Sequence, residues 1–557
     1  MRPARLRAIA AFTTFTLTLA TAYSCSTRGV TPDVTPVDAA DAVEPSDTPD
    51  AAPPPPPTVT LAEGTVQGSR GTGYLEFLGI PYAQPPVGAL RWRPPVPVTH
   101  WDGTRDATVA PPMCPQRLLA SISGQEDCLY VNVHVPDPAP HNAPVVVWIH
   151  GGAFVVGEGL QTDRGTRGDV LAATRGVVVV SMNYRLGPLG FAAHAALTTE
   201  GGGHSGNYGL LDQVAALQWV RDHAAAFGGD PGNVTLVGES AGGVSVYAHM
   251  VSPMSAGLFH RAVIESGPGG LPVATLATGE TQGQRLATAM DCGTATDVAA
   301  CMRAASVDTV LDAIASPPGY VSNDPAYARW QPVIDGAFFP GQPMDRVRAG
   351  TFAHVPVIAG WNGDEGTLFV FLQDQIGLTA AQYPAALLAM VDGDTSRRDR
   401  VLAHYPLSAY GMPWQALAAA LGDFVIACPT RRALRAMAPF VPHAYAYRFT
   451  YPNAAFQFPA SVPLGAFHSA EVQFVFGHAS RIGRPRFVGD ELAIHQAMRG
   501  YWTRFAASGD PNGEGAVAWP AYDAAAEPAL RIDVTQQPET GFDTADCEFW
   551  ESLGIYP

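Results

Sequence analysis

Short runs of consecutive apolar residues recur in the first half of the chain, at 145–149, 177–182 and 234–237. Runs of this length, rich in valine, are typical of strands that are buried on both faces of a parallel sheet. Other apolar side chains repeat at helical spacing within residues 212–227, at Val214, Leu217, Val220 and Phe227. This second pattern predicts a helix with Asp212 as its N-cap. Strands that alternate with helices predict a doubly wound α/β core.

Beyond about residue 270 the periodicity is weaker, and it favours helices at 380–390, 414–438 and 490–507. With 557 residues, of which 47% are hydrophobic, the chain is long enough for one large core or two smaller ones. The expected fold class is α/β. We expect a large central, mostly parallel sheet flanked by helices, with long loop and helical insertions.

The N-terminus has the composition of an export signal. Three arginines in the first seven residues precede an apolar stretch at 8–22, which is too short and too rich in threonine to span a membrane. Two processing sites compete in this stretch. One is an Ala-x-Ala sequence that ends at Ala22, and the other is an imperfect lipobox in which Cys25 is the lipidation candidate.

Residues 26–57 are acidic and rich in proline. Such a segment cannot bury apolar surface, so it predicts a disordered linker. The chain therefore divides into a signal peptide at 1–25, a linker at 26–57 and a folded domain at 58–557. We expect an exported protein, either a cell-envelope lipoprotein or a secreted or periplasmic protein.

The charged residues exclude several classes of function. A net charge of −17 argues against nucleic acid as a partner, because phosphate binding needs basic patches. All 33 basic residues are arginines, so a Ser-x-x-Lys dyad, a Schiff-base lysine and a P-loop lysine are excluded. A serine nucleophile in this chain would depend on histidine instead.

The cysteine count suits an oxidising compartment. Setting Cys25 aside leaves six of the seven cysteines, at Cys114, Cys128, Cys292, Cys301, Cys428 and Cys547. Six cysteines permit three disulfides, and the first two neighbouring pairs would close short loops; the alternative is buried free thiols. No Cys-x-x-Cys or His-Glu-x-x-His motif occurs. We therefore expect neither a metal site nor a cofactor.

A Gly-x-Ser-x-Gly motif at 238–242 holds the candidate nucleophile, Ser240. The motif follows the apolar run at 234–237 and precedes an apolar, helix-like stretch that reaches Met250. Strand, tight turn and helix in this order form the context of a nucleophile elbow. The alternative is a chance match in a chain with 57 glycines.

The sequence His-Gly-Gly-Ala-Phe at 150–154 follows directly on the apolar run at 145–149. Acyl transfer needs backbone N–H groups that stabilise a tetrahedral oxyanion, and small residues allow a close approach. In an elbow fold these donors come from such a loop and from the residue after the serine. The expected donors are Gly152, Ala153 and Ala241, and the alternative is a plain glycine turn.

A triad in this fold runs along the chain from serine to acid to histidine. Residues 361–366 follow a strand-like run and offer Asp364 or Glu365 as the acid. The histidines beyond them are His404, His443, His468, His478 and His495. His468 lies in a loop of small residues that suits a mobile imidazole, but spacing alone does not choose among the five.

The motifs together resemble those of type-B carboxylesterases, the cholinesterase-like branch of the α/β-hydrolases, from about residue 79 to residue 550. The motifs that match are Gly79-Ile-Pro-Tyr-Ala, Glu126-Asp-Cys-Leu-Tyr-Val-Asn-Val, His150-Gly-Gly-Ala-Phe, Asn183-Tyr-Arg-Leu-Gly, Gly206-Asn-Tyr-Gly-Leu-Leu-Asp-Gln, Phe227-Gly-Gly-Asp-Pro, the elbow, Gly363-Asp-Glu-Gly, and His468 with Glu471-Val-Gln-Phe-Val-Phe-Gly. The resemblance implies an α/β-hydrolase fold for residues 58–557. It also implies an exported serine carboxylesterase that forms an acyl-enzyme.

The same resemblance implies roles for individual residues. Ser240 would be the nucleophile, Glu365 the triad acid and His468 the base. Glu239 and Ser266 would support the triad by hydrogen bonding. The implied pairs are the disulfides Cys114–Cys128, Cys292–Cys301 and Cys428–Cys547 and the buried ion pairs Arg91–Glu126 and Arg185–Asp212.

One departure bears on the substrate. Cholinesterases carry a tryptophan between the first two cysteines that binds the choline cation, but residues 115–127 contain no aromatic side chain. We therefore expect an uncharged, small-molecule carboxylic ester, with lipidated Cys25 as a possible membrane tether. The alternatives are a non-catalytic, cholinesterase-like interaction module, or the same triad acting on amide, carbamate or thioester bonds.

Overall fold

A mixed sheet of eleven strands forms the centre of the computed structural model, which describes residues 54–118, 121–161, 165–314, 329–452, 462–479 and 486–556. The strands, numbered along the chain, are β1 Thr58–Thr60, β2 Thr65–Gln67, β3 Ser69–Gly71, β4 Tyr74–Pro81, β5 Thr104–Asp106, β6 Gln116–Leu118, β7 Ser121–Ser123, β8 Tyr130–Pro136, β9 Ala143–Ile149, β10 Val178–Met182, β11 Gly229–Glu239, β12 Arg261–Glu265, β13 Ala274–Thr275, β14 Val333–Ile334, β15 Val357–Asn362, β16 Ala444–Phe449, β17 Pro528–Ile532 and β18 Gln537–Thr540.

The helices connect these strands or follow the last of them, and several, such as α5, pack against the main sheet. They are α1 Asp169–Arg175, α2 Gly187–Phe191, α3 Ala195–Glu200, α4 Tyr208–His223, α5 Ala241–Val251, α6 Leu276–Ala289, α7 Val298–Ala304, α8 Val307–Ala313, α9 Pro343–Arg348, α10 Glu365–Leu372, α11 Tyr383–Met390, α12 Thr395–His404, α13 Pro413–Gly422, α14 Cys428–Met437, α15 Val472–Phe476, α16 Asp490–Ser508 and α17 Thr544–Ser552. A π-helical turn, Asp423–Ala427, joins α13 to α14.

The strand order in the main sheet is β18-β17-β16-β15-β12-β11-β9-β10-β8-β4-β3. All neighbours from β17 to β10 are parallel, and the pairs at the two edges are antiparallel. The predicted strands at 145–149, 177–182 and 234–237 correspond to β9, β10 and the end of β11. The expected α/β fold with a mostly parallel central sheet is therefore confirmed.

Both faces of the sheet are buried. Along β9, Val145, Val147 and Ile149 belong to one apolar cluster, whereas Val146 and Trp148 belong to a second cluster on the opposite face. Successive side chains of a strand point to opposite faces, so a strand covered on both sides must be apolar throughout. The apolar runs in the sequence therefore predicted the positions of the central strands β9, β10 and β11 correctly.

The prediction that Asp212 caps a helix is wrong. Helix α4 begins at Tyr208, one turn before Asp212, and the Asp212 carboxylate is fully buried beside Arg185. The Arg185 backbone N–H and guanidinium both donate to it, the latter through Nε and Nη2 at 2.8 and 2.7 Å. Asp212 therefore ties α4 to the loop after β10.

The other expected pairs are present. Arg91 binds Glu126 with both ends of its guanidinium, at 2.6 and 2.7 Å. Disulfides join Cys114 to Cys128, Cys292 to Cys301 and Cys428 to Cys547. The last of these attaches α14 to α17, two helices far apart in the chain.

Residues 55–557 form one compact unit. The expected signal peptide at 1–25, the lipidation candidate Cys25 and most of the linker at 26–57 lie outside the described residues. Within the described ranges, every helix is too short or too polar to cross a membrane.

Candidate active site

Ser240 occupies a strained turn between β11 and α5. Its backbone angles are φ 56° and ψ −121°, in a region that residues with a side chain rarely adopt. A Cβ atom on Gly242 would lie 2.0 Å from the carbonyl oxygen of Ile149, so only glycine allows α5 to approach β9 this closely. The sequence thus places the serine at a sharp corner over the end of the sheet.

The loop after β9 passes directly beside this corner. A Cβ atom on Gly151 would come within 3.0 Å of the Ser240 Cβ atom. The chain then turns tightly, with positive φ at Gly152 and Ala153, and the Gly152 carbonyl accepts from Val156 N–H at 3.0 Å. No hydrogen bond of the Gly152, Ala153 or Ala241 N–H group is found among the described residues. These three backbone donors therefore remain available beside the serine.

Strand register brings further residues to the same edge of the sheet. Glu239 of β11 is paired with Glu265 of β12, and Glu265 is paired with Gly360 of β15. Because parallel strands present their carboxyl ends at one edge, the residues that follow each of them meet there. Ser240 and Ser266 are two of these residues.

Glu365, the first residue of α10, contacts His468 directly. Its Oε2 lies 2.6 Å from His468 Nδ1, across 103 residues of sequence. Its Oε1 accepts from Ser266 Oγ at 2.6 Å and from the Asn362 backbone N–H at 2.7 Å. Three donors thus hold a carboxylate that is only 2% exposed, and this arrangement keeps a buried charge satisfied.

Asp364, the alternative acid, has a different set of contacts. Its Oδ2 accepts from Ala466 N–H at 2.8 Å, and its own N–H donates to the Ala466 carbonyl at 2.9 Å. Burial raises the pKa of the Asp364 carboxyl above its ordinary value. Asp364 therefore fastens the loop that carries His468, while its neighbour Glu365 contacts the imidazole.

Glu239, the residue before Ser240, contacts His468 through its side chain. His468 Nε2 is 3.2 Å from Glu239 Oε1, and Ser469 Oγ donates to the same oxygen at 2.5 Å. Glu365 and Glu239 therefore face the two ring nitrogens of His468 from opposite sides.

Two further carboxyl groups are fully buried behind this site. Glu265 accepts from the Trp502 indole N–H at 2.5 Å, and Glu471 accepts from the Asn362 side-chain amide at the same distance. Burial, assisted by the charge of Glu239, raises the pKa of Glu265 from 4.5 to about 8. Burial and the charge of Glu265 raise the pKa of Glu471 well above its ordinary value. Burial therefore favours the neutral form of both carboxyl groups.

The remaining candidate histidines lie elsewhere. His404 contacts Asp546 and His478 contacts Asp169, with 2.7 and 2.6 Å between the nearest atoms. His495 packs on the ring of Phe487, and His443 is near Tyr445. His468 is the candidate that the fold brings to the edge with Ser240, and the residue is 4% exposed.

Sequence reasoning did not single out Asn362 or Ser469. The Asn362 side-chain amide donates both to the carbonyl of Phe467 and to Glu471, and so fixes the residue before His468. Ser469 donates to Glu239. Asn362 precedes the Gly363-Asp-Glu-Gly motif, and Ser469 follows His468. Asparagine and serine are common in loops, so neither residue type indicates a role until its hydrogen-bond partners are known.

An apolar cavity of about 310 Å³ opens next to the loop after β9 and the first turn of α5. Phe154 and Val244 form part of its wall, and Val244 N–H donates to the Ser240 carbonyl at 2.9 Å. Tyr247, Phe339 and Phe424 line it further. A mostly apolar cavity of this size suits an aliphatic or aromatic group of a small molecule.

No group of three or more His, Cys, Asp or Glu side chains that could hold a metal ion occurs in the part of the chain that the structure describes.

Comparison with known proteins gives a consistent result. The Carboxylesterase family matches residues 55–550. The chain is 34% identical over 525 residues to an acylcarnitine hydrolase of Mus musculus, with 87% of this chain and 89% of that protein covered. It is also 34% identical over 534 residues to the pyrethroid hydrolase Ces2a of Mus musculus, with the same coverage. Among solved structures, a PNB esterase matches with a TM-score of 0.74 and 31% identity, over 88% of this chain and 99% of that one.

Proposed function

This chain belongs to the carboxylesterase family and is a carboxylic ester hydrolase, and we propose that it cleaves uncharged esters through an acyl-enzyme intermediate on Ser240. The observation that carries the proposal is the 2.6 Å contact between His468 Nδ1 and Glu365 Oε2, at the edge of the sheet where Ser240 sits in its strained turn. A non-catalytic interaction module has no comparable support, since the relatives described above are hydrolases by name.

In the acylation step, Ser240 Oγ attacks the ester carbonyl carbon and His468 Nε2 takes the hydroxyl proton. The carbonyl electron pair moves to the oxygen, where the N–H groups of Gly152, Ala153 and Ala241 stabilise the charge. The tetrahedral intermediate then expels the alkoxide, which receives the proton from His468. In deacylation, water attacks the acyl carbon and gives a proton to His468 Nε2. The second tetrahedral intermediate then expels Ser240 Oγ, which takes the proton from His468, and the carboxylic acid is released.

Glu365 holds the histidine ready for this exchange. Its carboxylate accepts the Nδ1 proton, so the neutral ring keeps Nε2 as the basic nitrogen, and it stabilises the imidazolium that forms. In the structure, His468 Nε2 lies 3.2 Å from Glu239 Oε1. We propose that the ring turns from Glu239 toward Ser240 when substrate fills the site, because catalytic hydrogen bonds shorten in the substrate complex.

The preference for an uncharged ester rests on two features. The Cys114–Cys128 loop has no aromatic side chain in its sequence that could bind a quaternary ammonium group. The cavity next to the first turn of α5 is walled mainly by apolar residues such as Phe154 and Val244, and its two charged lining residues, Arg329 and Asp392, have opposite signs. Transfer of a fixed positive charge from water to such a wall is unfavourable.

A panel of butyryl compounds with one common acyl group tests the proposal. We expect 3,3-dimethylbutyl butyrate to have a higher kcat/KM than butyrylcholine, which has the same shape but carries a charge. Butyranilide and a butyryl thioester extend the panel to the other bonds. Faster cleavage of the choline ester would contradict the uncharged preference, and faster cleavage of the anilide would make the protein an amidase in function.

The same acyl group reveals the intermediate. On rapid mixing with p-nitrophenyl butyrate, a burst of p-nitrophenol close to one equivalent of protein is expected, provided that deacylation is the slower step. Quenched samples should carry a butyryl group on the peptide that contains Ser240. An acyl group found on another residue would exclude Ser240 as the nucleophile.

We also propose that the protein is exported. Three disulfides suit an oxidising compartment, and the first 25 residues have the composition of a signal peptide. The mass of the mature N-terminal peptide distinguishes the two processing routes: a diacylglyceryl group on Cys25 supports a lipoprotein, whereas a free N-terminus after Ala22 supports ordinary cleavage. Retention of the peptide 1–22 would contradict export by either route.

A further inference from the structure

A second cavity, of about 460 Å³, lies beside α10 and is distinct from the apolar cavity next to the first turn of α5. Aromatic side chains form much of its wall, namely Trp361, Tyr405, Tyr410 and Trp414. Trp361, Tyr405 and Trp414 are buried, whereas Ala409 and Gly411 at the rim are exposed. The cavity is therefore deep on one side and open to solvent on the other.

The charged residues that line this cavity are strongly unbalanced. Five are acidic and one is basic, namely Asp364, Glu365, Asp423, Asp543, Asp546 and Arg448. Arg448 Nη2 is 3.4 Å from Asp543 Oδ1, and Glu365 Oε2 contacts His468 Nδ1. Acidic side chains therefore outnumber basic ones in the wall of this cavity.

Asp423, at the start of the π-helical turn, is the acid with the least compensation. Its Oδ2 accepts one hydrogen bond, from Tyr405 O–H at 2.8 Å, and no salt bridge of its carboxylate is found among the described residues. Burial and the charge of Asp543 raise the pKa of Asp423 well above its ordinary value. A cation bound in the cavity would stabilise the ionised form of the Asp423 carboxyl, which burial and Asp543 disfavour.

A neutral acceptor in the wall also lacks a donor. Asn362 is 2% exposed, and its side-chain nitrogen is used by Phe467 and Glu471. Its Oδ1 has no hydrogen-bond partner within the described part of the chain. Because a buried polar atom is normally paired, this oxygen calls for an N–H donor.

From the aromatic wall, the uncompensated Asp423 and the unpaired Asn362 oxygen, we propose that this cavity binds an organic cation with N–H donors, such as a primary ammonium or a guanidinium group. Aromatic faces attract such cations, and carboxylates accept their hydrogen bonds. The absence of a metal-ligand group among the described residues favours an organic cation over a metal ion.

Thermal unfolding of the whole protein tests the proposal, with benzylammonium chloride as the probe. Benzyl alcohol is the neutral control of the same shape, and sodium chloride controls for ionic strength. A ligand at 100 times its Kd adds roughly 3 °C to Tm for a chain of this size. We expect that rise for benzylammonium and none for either control.

Two variants locate the site. Asp423→Asn keeps the shape of the side chain but cannot ionise beside a bound cation, and we expect it to abolish the rise in Tm. Asp374→Asn, which changes an exposed acid outside the cavity, should respond as the wild type does. If Asp423→Asn does not fold, Asp546→Asn at the rim replaces it and should weaken the response severalfold.

Two results would overturn the proposal. The first is a benzylammonium response that the cavity variants leave unchanged, or no response at all. The second is stabilisation by calcium chloride, but not by benzylammonium, that Asp423→Asn removes. Neither result depends on hydrolysis, so the outcome is independent of the mechanism proposed for Ser240.

Discussion

Replacement of Ser240 by alanine will lower kcat for p-nitrophenyl butyrate by about 10⁴-fold or more. The variant loses the only atom that can form the acyl-enzyme, while the N–H groups of Gly152, Ala153 and Ala241 remain. Some activity above that of water is therefore expected to survive. Initial rates at saturating substrate, with the burst amplitude measured in parallel, check this prediction.

Ser408→Ala is the matched control, since Ser408 is exposed and lies outside the site. It should keep both the rate and the burst of the wild type. Circular dichroism should show that Ser240→Ala is folded, because alanine fits the turn as well as serine does. If Ser240→Ala retains the wild-type rate, another residue must be the nucleophile.

Glu365→Gln is expected to lower kcat by roughly 10³- to 10⁴-fold, with a much smaller change in KM. Glutamine has the same shape and can still accept hydrogen bonds from Ser266 and the Asn362 backbone. However, it presents an NH₂ group instead of an oxygen to His468 Nδ1. The ring then keeps its proton on Nε2, the nitrogen that must accept the proton of Ser240.

Asp364→Asn is the matched comparison at the neighbouring position. An asparagine oxygen can still accept from Ala466 N–H, so this variant should lose far less activity than Glu365→Gln. Values of kcat and KM for both variants, measured with the same ester, decide between the two acids. A larger loss in Asp364→Asn would assign the triad acid to residue 364.

Ser240 and Glu365 depend on the fold to different degrees. The turn at Ser240 is encoded within a few residues, because the strained backbone and the close approach at Gly242 depend on local sequence. Both could therefore be inferred from a short motif. The pairing of Glu365 with His468 spans 103 residues, and no local pattern distinguishes His468 from four other histidines.

Asp364 and Glu365 show why adjacency in sequence is not enough. Both are acids at the end of one strand, but one carboxylate binds the backbone of Ala466 and the other binds the imidazole. The direction of each side chain follows from where α10 begins and from the loop that packs against it. Asp212 is a similar case: its position suggested a cap, and its partner Arg185 lies on a different segment.

By itself, the amino-acid sequence determined the central strands, the strained corner that carries Ser240, the glycine-rich loop beside it and the family to which the chain belongs. Each of these depends on apolar runs or on short contacts between near neighbours. Only the tertiary structure decided which acid faces which histidine, that Glu239 and Glu365 lie on either side of one imidazole, and that distant aspartates share a cavity with aromatic rings. Those relations arise where separate segments pack together, and packing over a hundred residues of separation leaves no periodic trace in the chain.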